Sequence, residues 1–139
     1  MRRTGEVRAR VQGGGVIRAL SPRSLAILGA INGALVVILG AVGAHASNAP
    51  ERAGSLQTAV QYHMFHTLGL LVIAAAARPR SPLWGWSGGL MLAGILFFCG
   101  SLYVAALTGY RGLTRFAPLG GIAFIAAWTL LALAWWRSR

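Results

Sequence analysis

Three histidines are the residues of this chain best suited to chemistry. His63 and His66 lie three residues apart, and His45 ends a preceding apolar run. Neutral imidazole is a common metal ligand and titrates near physiological pH, so these residues suggest a metal site or a proton-handling site. Three histidines form some zinc sites, but the i,i+4 spacing is better attested and Glu51 is the nearest carboxylate in sequence. We therefore regard all three as weak metal candidates and predict no metal.

Other polar side chains are predicted at the same depth as the histidines, in the outer half of a membrane. The full set comprises His45, Gln57, Gln61, Tyr62, His63, His66, Ser101 and Tyr103. Polar groups are costly in lipid, so we expect them either to hydrogen-bond between helices or to handle a ligand, a proton or a metal ion. The first interpretation is favoured, because such bonds are ordinary in membrane bundles. Polar residues on two faces of the second helix predict a central position for that helix.

Four apolar runs must position these residues, and they lie at 25–44, 56–77, 83–107 and 116–136. Each is long enough for a spanning helix, which needs about 20 apolar residues. Hydrophobic residues make up 56% of the chain and charged residues 11%, a balance that a soluble domain of 139 residues could not bury. The sequence predicts an all-α integral membrane bundle at 25–139 after a basic, mobile cytosolic tail at 1–24.

The placement of arginine predicts the orientation. All thirteen cationic residues are arginines, and none lies inside an apolar run. With the N-terminus inside, the cytoplasmic segments hold ten arginines and the outer loops hold three. Four tryptophans then fall at the cytoplasmic interface, where indole rings prefer to lie: Trp84, Trp86, Trp135 and Trp136. Both termini are predicted to be cytoplasmic, in the inner (plasma) membrane of a bacterium, with the lipid bilayer as a partner.

Two other interpretations must be considered, one of the N-terminal segment and one of the net charge. The basic tail, the first run and Ala44-His45-Ala46 resemble a secretory signal, but the run is longer than a usual signal core, so we expect it to be retained. The net charge of +11 could suggest nucleic acid. Because the arginines punctuate the apolar runs, we interpret the charge as a topology signal and predict no nucleic-acid binding.

Small residues recur where helices could approach closely. They are Gly29, Gly33 and Gly40 in the first run, Gly85 and Gly89 in the third, and Gly120 and Gly121 in the fourth. Such faces predict packing within the bundle, with dimerisation as the alternative.

No complete catalytic set accompanies these residues, and no cofactor is predicted. The favoured function is a non-enzymatic accessory or scaffold subunit, in a homo-oligomer or a larger membrane complex. The alternative is a ligand-, proton- or metal-handling membrane protein that uses the polar set.

Four ordered segments resemble a known family. They are Gly40-Ala41-Val42-Gly43-Ala44-His45, the run from Gln57 to His66, Gly100-Ser101-Leu102-Tyr103, and Pro118-Leu119-Gly120-Gly121. These segments are similar to the small four-helix membrane proteins known as domain of unknown function 423, whose animal relatives are called transmembrane protein 256. The resemblance covers about residues 25–136. It implies a multi-span membrane protein and supplies no activity.

Overall fold

All regular secondary structure is helical over the residues that the computed structural model describes, which are 20–46, 50–77 and 81–138. Four of its helices are long and apolar enough to cross a membrane, and no strand occurs in these ranges. The predicted all-α fold with four spans is therefore confirmed. Residues 1–19 of the predicted tail lie outside the described ranges.

The helices are numbered in chain order. α1 spans Pro22–Ala46, and α2 spans Pro50–Ala76. α3 spans Leu83–Thr108 and contains a π-helical turn at Ile95–Cys99. α4 spans Ala117–Trp136 and directly follows a 3₁₀ turn at Gly112–Phe116, with which it forms one candidate membrane span.

Local signals in the sequence explain where α1 begins and α3 ends. The backbone N–H of Ser24 donates to the Ser21 hydroxyl at 3.1 Å, which caps the first turn of α1. Pro22 is tolerated in that turn because its missing N–H has no helical partner there. α3 ends at Gly109, whose φ of +78° is a left-handed conformation that favours glycine.

Each helix packs mainly against the helix next to it in the chain. α1 packs mainly against α2, α2 packs against α3 as well, and α4 packs mainly against α3. α2 thus contacts helices on both sides, as its polar faces predicted. Because α2 and α4 both lie on α3 and their backbones seldom come close to each other, side chains alone bridge the space between them, and a lateral groove opens there.

The buried core follows the α2–α3–α4 contacts. Trp84, Leu70, Ile73, Met91 and Cys99 are its largest enclosed apolar side chains besides Leu25 of α1. The Ser87 hydroxyl donates to the Ala127 carbonyl at 2.7 Å and ties α3 to α4 inside this core. The outward faces of the helices are apolar, as lipid requires.

The structure places the glycines of α1 against α2. A Cβ on Gly29 would lie 2.7 Å from a Leu71 methyl carbon, while one on Gly33 or Gly40 would meet Thr67 or Val60 at ordinary contact distance. Close helix approach therefore depends most on Gly29 in this stripe.

The glycines of α3 and α4 differ in burial and in the space available for a side chain. Gly85 is buried, whereas a Cβ on Gly89 or Gly121 would meet nothing within 4 Å. A Cβ on Gly120 would press on the backbone of Phe98, at 2.9 Å from its Cα. α4 thus crosses α3 at the π-helical turn, and Gly120 permits that approach.

Candidate functional site

The predicted polar residues separate into a closed hydrogen-bond network and an open groove. His63 lies 3% exposed between α1 and α3. Its Nδ1 is 3.2 Å from the Tyr103 hydroxyl, and its Nε2 is 3.0 Å from Oδ1 of Asn32. Three helices are therefore joined through one imidazole.

The partners of His63 fix the direction of each hydrogen bond. The Asn32 amide nitrogen donates to the Leu28 carbonyl at 2.8 Å, which leaves the Asn32 oxygen as the acceptor for His63. A neutral His63 therefore donates a hydrogen bond from Nε2 to Asn32 and accepts one at Nδ1 from the Tyr103 hydroxyl. Because both ring nitrogens have partners, neither is available to a metal ion or a ligand in this arrangement.

His66 has different surroundings, although it is also buried, with 4% of its surface exposed. Its Nδ1 lies 2.7 Å from the Tyr62 carbonyl oxygen. Its ring stacks on Phe124 of α4 with centroids 3.4 Å apart and planes 15° apart. Within the described ranges, Nε2 has no hydrogen-bond partner.

His66 lines a groove that opens sideways between α2 and α4, with α3 at its base. The cavity volume is about 890 Å³. Its lining residues are mostly aromatic or aliphatic, and none is charged: Gln61, Tyr62, Met64, Phe65, His66, Leu68, Phe98, Gly121, Phe124, Ile125, Trp128 and Thr129. Such a cavity suits an apolar ligand with a few polar contacts.

Aromatic contacts shape the walls of this groove. The Tyr62 and Phe98 ring centroids are 4.7 Å apart, and those of Phe65 and Trp128 are 5.5 Å apart. Trp128 approaches the His66 ring at 6.3 Å. The groove is thus bounded by flat rings from all three helices.

The remaining predicted residues lie outside both arrangements. His45 is exposed in the last turn of α1, and Gln57 is exposed near the start of α2. The Ser101 hydroxyl is buried and donates to the Phe98 carbonyl at 2.9 Å within α3. Among the described residues, no three His, Cys, Asp or Glu side chains come together as a metal site would require.

Sequence reasoning missed Asn32 in the network and the aromatic residues that build the groove. Asn32 could have been found, because it is the one amide side chain in the apolar run of α1. Phe124 and Trp128 carry no such signal, since aromatic residues in a spanning helix usually contact lipid or core.

Comparisons with known proteins agree with this architecture. A profile for the family described as Protein of unknown function (DUF423) matches residues 39–121. The UPF0382 membrane protein YwdK of Bacillus subtilis (strain 168) is 46% identical over 113 residues, which cover 78% of this chain and 92% of the relative. The UPF0382 membrane protein SERP0230 of Staphylococcus epidermidis is 42% identical over 111 residues, which cover 78% of this chain and 91% of the relative.

A relative from a Gram-negative bacterium extends the comparison. The UPF0382 inner membrane protein YgdD of Escherichia coli (strain K12) is 38% identical over 116 residues, which cover 81% of this chain and 88% of the relative. No solved structure matches the chain significantly. The chain therefore belongs to the DUF423 family and is a multi-span protein of the bacterial inner membrane.

Proposed function

We propose that this protein binds an uncharged, mainly apolar molecule from the bilayer in the groove between α2 and α4. The observation that carries the proposal is the His66 imidazole, which is almost fully buried and lines the groove with its Nε2 unpartnered in the described structure. This nitrogen is open to the groove and is not enclosed in the core. In a bilayer it faces hydrocarbon, where a polar group without a partner costs about 1–3 kcal/mol. A ligand that supplies the missing hydrogen bond recovers that cost.

Two further polar groups on the same stretch of α2 support the proposal. The Gln61 amide and the Tyr62 hydroxyl line the groove and have no hydrogen-bond partner within the described ranges. Lipid tails cannot satisfy these groups, since hydrocarbon offers no donor or acceptor. The absence of charged residues from the lining favours an uncharged ligand.

Two glycines allow a matched test of ligand binding. Gly121 lines the groove and has open space at its Cβ position, so Gly121→Leu is expected to fill the groove without a clash with its surroundings. Gly89 also has open space but does not line the groove, and Gly89→Leu is the control.

The measurement is mass spectrometry of small molecules that co-purify with each protein in mild detergent. We expect a lipid enriched with the wild type and with Gly89→Leu, and depleted with Gly121→Leu. Equal recovery from all three proteins, or no enriched molecule in any, would contradict ligand binding in the groove.

A second candidate function is that of an accessory or scaffold subunit. It is supported by α1, which packs mainly on one neighbour and leaves Val37 71% exposed and Ile38 56% exposed. Such an edge helix could pack on a second copy or on a larger membrane complex. Purification in mild detergent with mass spectrometry of bound proteins tests this role, and a monomer without protein partners would contradict it.

A further inference from the structure

The proton on the His66 ring decides which ligands the groove can recognise. Nδ1 faces the Tyr62 carbonyl oxygen at 2.7 Å, and a carbonyl oxygen can only accept a hydrogen bond. A neutral His66 must therefore carry its proton on Nδ1, and Nε2 is a bare acceptor. The matching group on a ligand is a donor, and on an uncharged lipid that donor is a hydroxyl.

The depth of the groove restricts the ligand further. His66 and Phe124 lie near the middle of the spans Arg52–Ala76 and Gly112–Trp136. A charge at the bilayer centre costs about 2.5–3.5 kcal/mol even on the lowest scale, and the hydrocarbon surface lies roughly 15 Å away. A phospholipid head group therefore cannot reach His66, whereas an uncharged ring or alcohol can.

The flat walls of the groove favour a ring over a flexible chain. The Tyr62 and Phe98 rings lie 4.7 Å apart, the Phe65 and Trp128 rings lie 5.5 Å apart, and all four line the groove. Aromatic pairs in offset or edge contact are stabilised beyond the area that they bury. The cavity is large enough for a ring together with the first part of a hydrocarbon tail.

We propose that the groove binds the hydroquinone form of a membrane quinone, with a ring hydroxyl donating to Nε2 of His66. The ring stacks among the aromatic walls, and the tail leaves through the lateral opening into lipid. The Tyr62 hydroxyl or the Gln61 amide bonds the second ring oxygen. This inference rests on the proposed function, and it names the ligand class of the same groove.

Fluorescence of the protein in phosphatidylcholine nanodiscs tests the ligand class, because Trp128 lines the groove and quinone-type rings quench indole emission. The probes are decylubiquinol under anaerobic conditions, the oxidised decylubiquinone, and dioleoylglycerol as a non-aromatic alcohol. One intramembrane hydrogen bond corresponds to about a three- to tenfold difference in affinity. We therefore expect saturable quenching, with the quinol bound about three- to tenfold more tightly than the quinone.

Dioleoylglycerol offers the same hydroxyl from another source, and we expect it to compete poorly. Equal or tighter binding of the quinone would overturn the assignment, and so would displacement of the quinol by equimolar dioleoylglycerol. Quinol-insensitive fluorescence combined with a protein helix found in the groove by crosslinking would overturn it in favour of a protein partner.

Substitutions can distinguish the loss of the hydrogen bond between His66 and the quinol from a general loss of the folded structure. His66→Phe keeps a ring to stack on Phe124 and removes the acceptor, so the affinity for the quinol should fall to that for the quinone. Trp128→Phe should remove most of the quenching by decylubiquinol. The variant should still bind the quinol, so adding it in excess should reduce quenching of the wild-type protein. Should His66→Phe fail to fold, Gly121→Leu still tests the site, because it should abolish quinol binding while Gly89→Leu keeps it.

The two proposals can fail separately. A co-purifying lipid that is lost in Gly121→Leu, together with no binding of decylubiquinol, would retain the groove as a ligand site and reject the quinol. No co-purifying lipid and no quinol binding in any protein would reject both.

Discussion

An alanine in place of Gly120 tests how closely α4 must approach α3. The new Cβ would lie 2.7 Å from the Phe98 Cβ and 2.9 Å from its Cα, whereas carbon atoms pack best at about 3.5–4.0 Å. Because part of this contact is backbone, a side-chain rotation cannot relieve it. α4 must therefore move away from the π-helical turn by a substantial part of an ångström.

The magnitude follows from two opposing effects. Overpacking of this kind destabilises a protein by about 1–3 kcal/mol. Replacing a helical glycine by alanine returns about 0.5–1 kcal/mol. Gly120→Ala should therefore lower the free energy of unfolding by up to about 2.5 kcal/mol, and by about 1 kcal/mol if both effects lie near the middle of their ranges.

The adjacent glycine is the control, because Gly121→Ala would meet nothing within 4 Å. This variant should be neutral or stabilising by up to about 1 kcal/mol. Reversible unfolding in mixed micelles by sodium dodecyl sulfate, followed by tryptophan fluorescence, measures both proteins. If Gly120→Ala is as stable as Gly121→Ala, the close approach of α4 to the π-helical turn is wrong.

Further predictions concern the network, the cysteine and the orientation. Asn32→Leu and Tyr103→Phe should each lower the unfolding free energy by about 0.6 kcal/mol in the same assay, the average for an intramembrane hydrogen bond; no loss in either would refute the network. Cys99 is 0% exposed, so a maleimide should label it only after unfolding, and rapid labelling of the native protein would contradict its burial. With Cys99 protected in this way, an impermeant maleimide applied to intact spheroplasts should label Tyr110→Cys and spare Pro82→Cys if both termini are cytoplasmic; the reverse pattern would invert the topology.

The four spans were predictable because lipid leaves little choice. A run of about 20 apolar residues must satisfy its backbone internally, and a helix does so. The helices extend beyond the predicted apolar runs at their N-terminal ends: α1 begins at Pro22, before the run at 25–44, and α2 begins at Pro50, before the run at 56–77.

The π-helical turn could not be predicted, because nothing in the composition of Ile95–Cys99 distinguishes it from the rest of α3. Its position coincides with the contact that Gly120 makes with Phe98. Turns of this kind occur often at functional sites, and this one contributes Phe98 to the groove. The contact depends on the packing of α3 against α4, which a single sequence does not specify.

The burial of the tryptophans also could not be predicted from the sequence. Trp84 was expected at the membrane interface, and the structure buries it to 1% exposure with its ring edge-on to Trp135 at 5.2 Å. Trp136, in contrast, is 81% exposed. Hydropathy predicts the depth of an indole ring, but the neighbouring helix decides whether that ring meets lipid or core.

The spacing of the two central histidines had suggested that they act as a pair, and the packing separates them. Three residues advance a helix by 300°, so the side chains of His63 and His66 leave α2 about 60° apart. This angle suffices to direct one ring between α1 and α3 and the other into the groove beside α4. His63 uses both nitrogens to join helices, whereas Nδ1 of His66 bonds to the Tyr62 carbonyl of its own helix and Nε2 has no partner among the described residues. The structural role of His63 and the proposed binding role of His66 therefore arise from the same residue type on one helix, and the positions of α1 and α4 account for the difference.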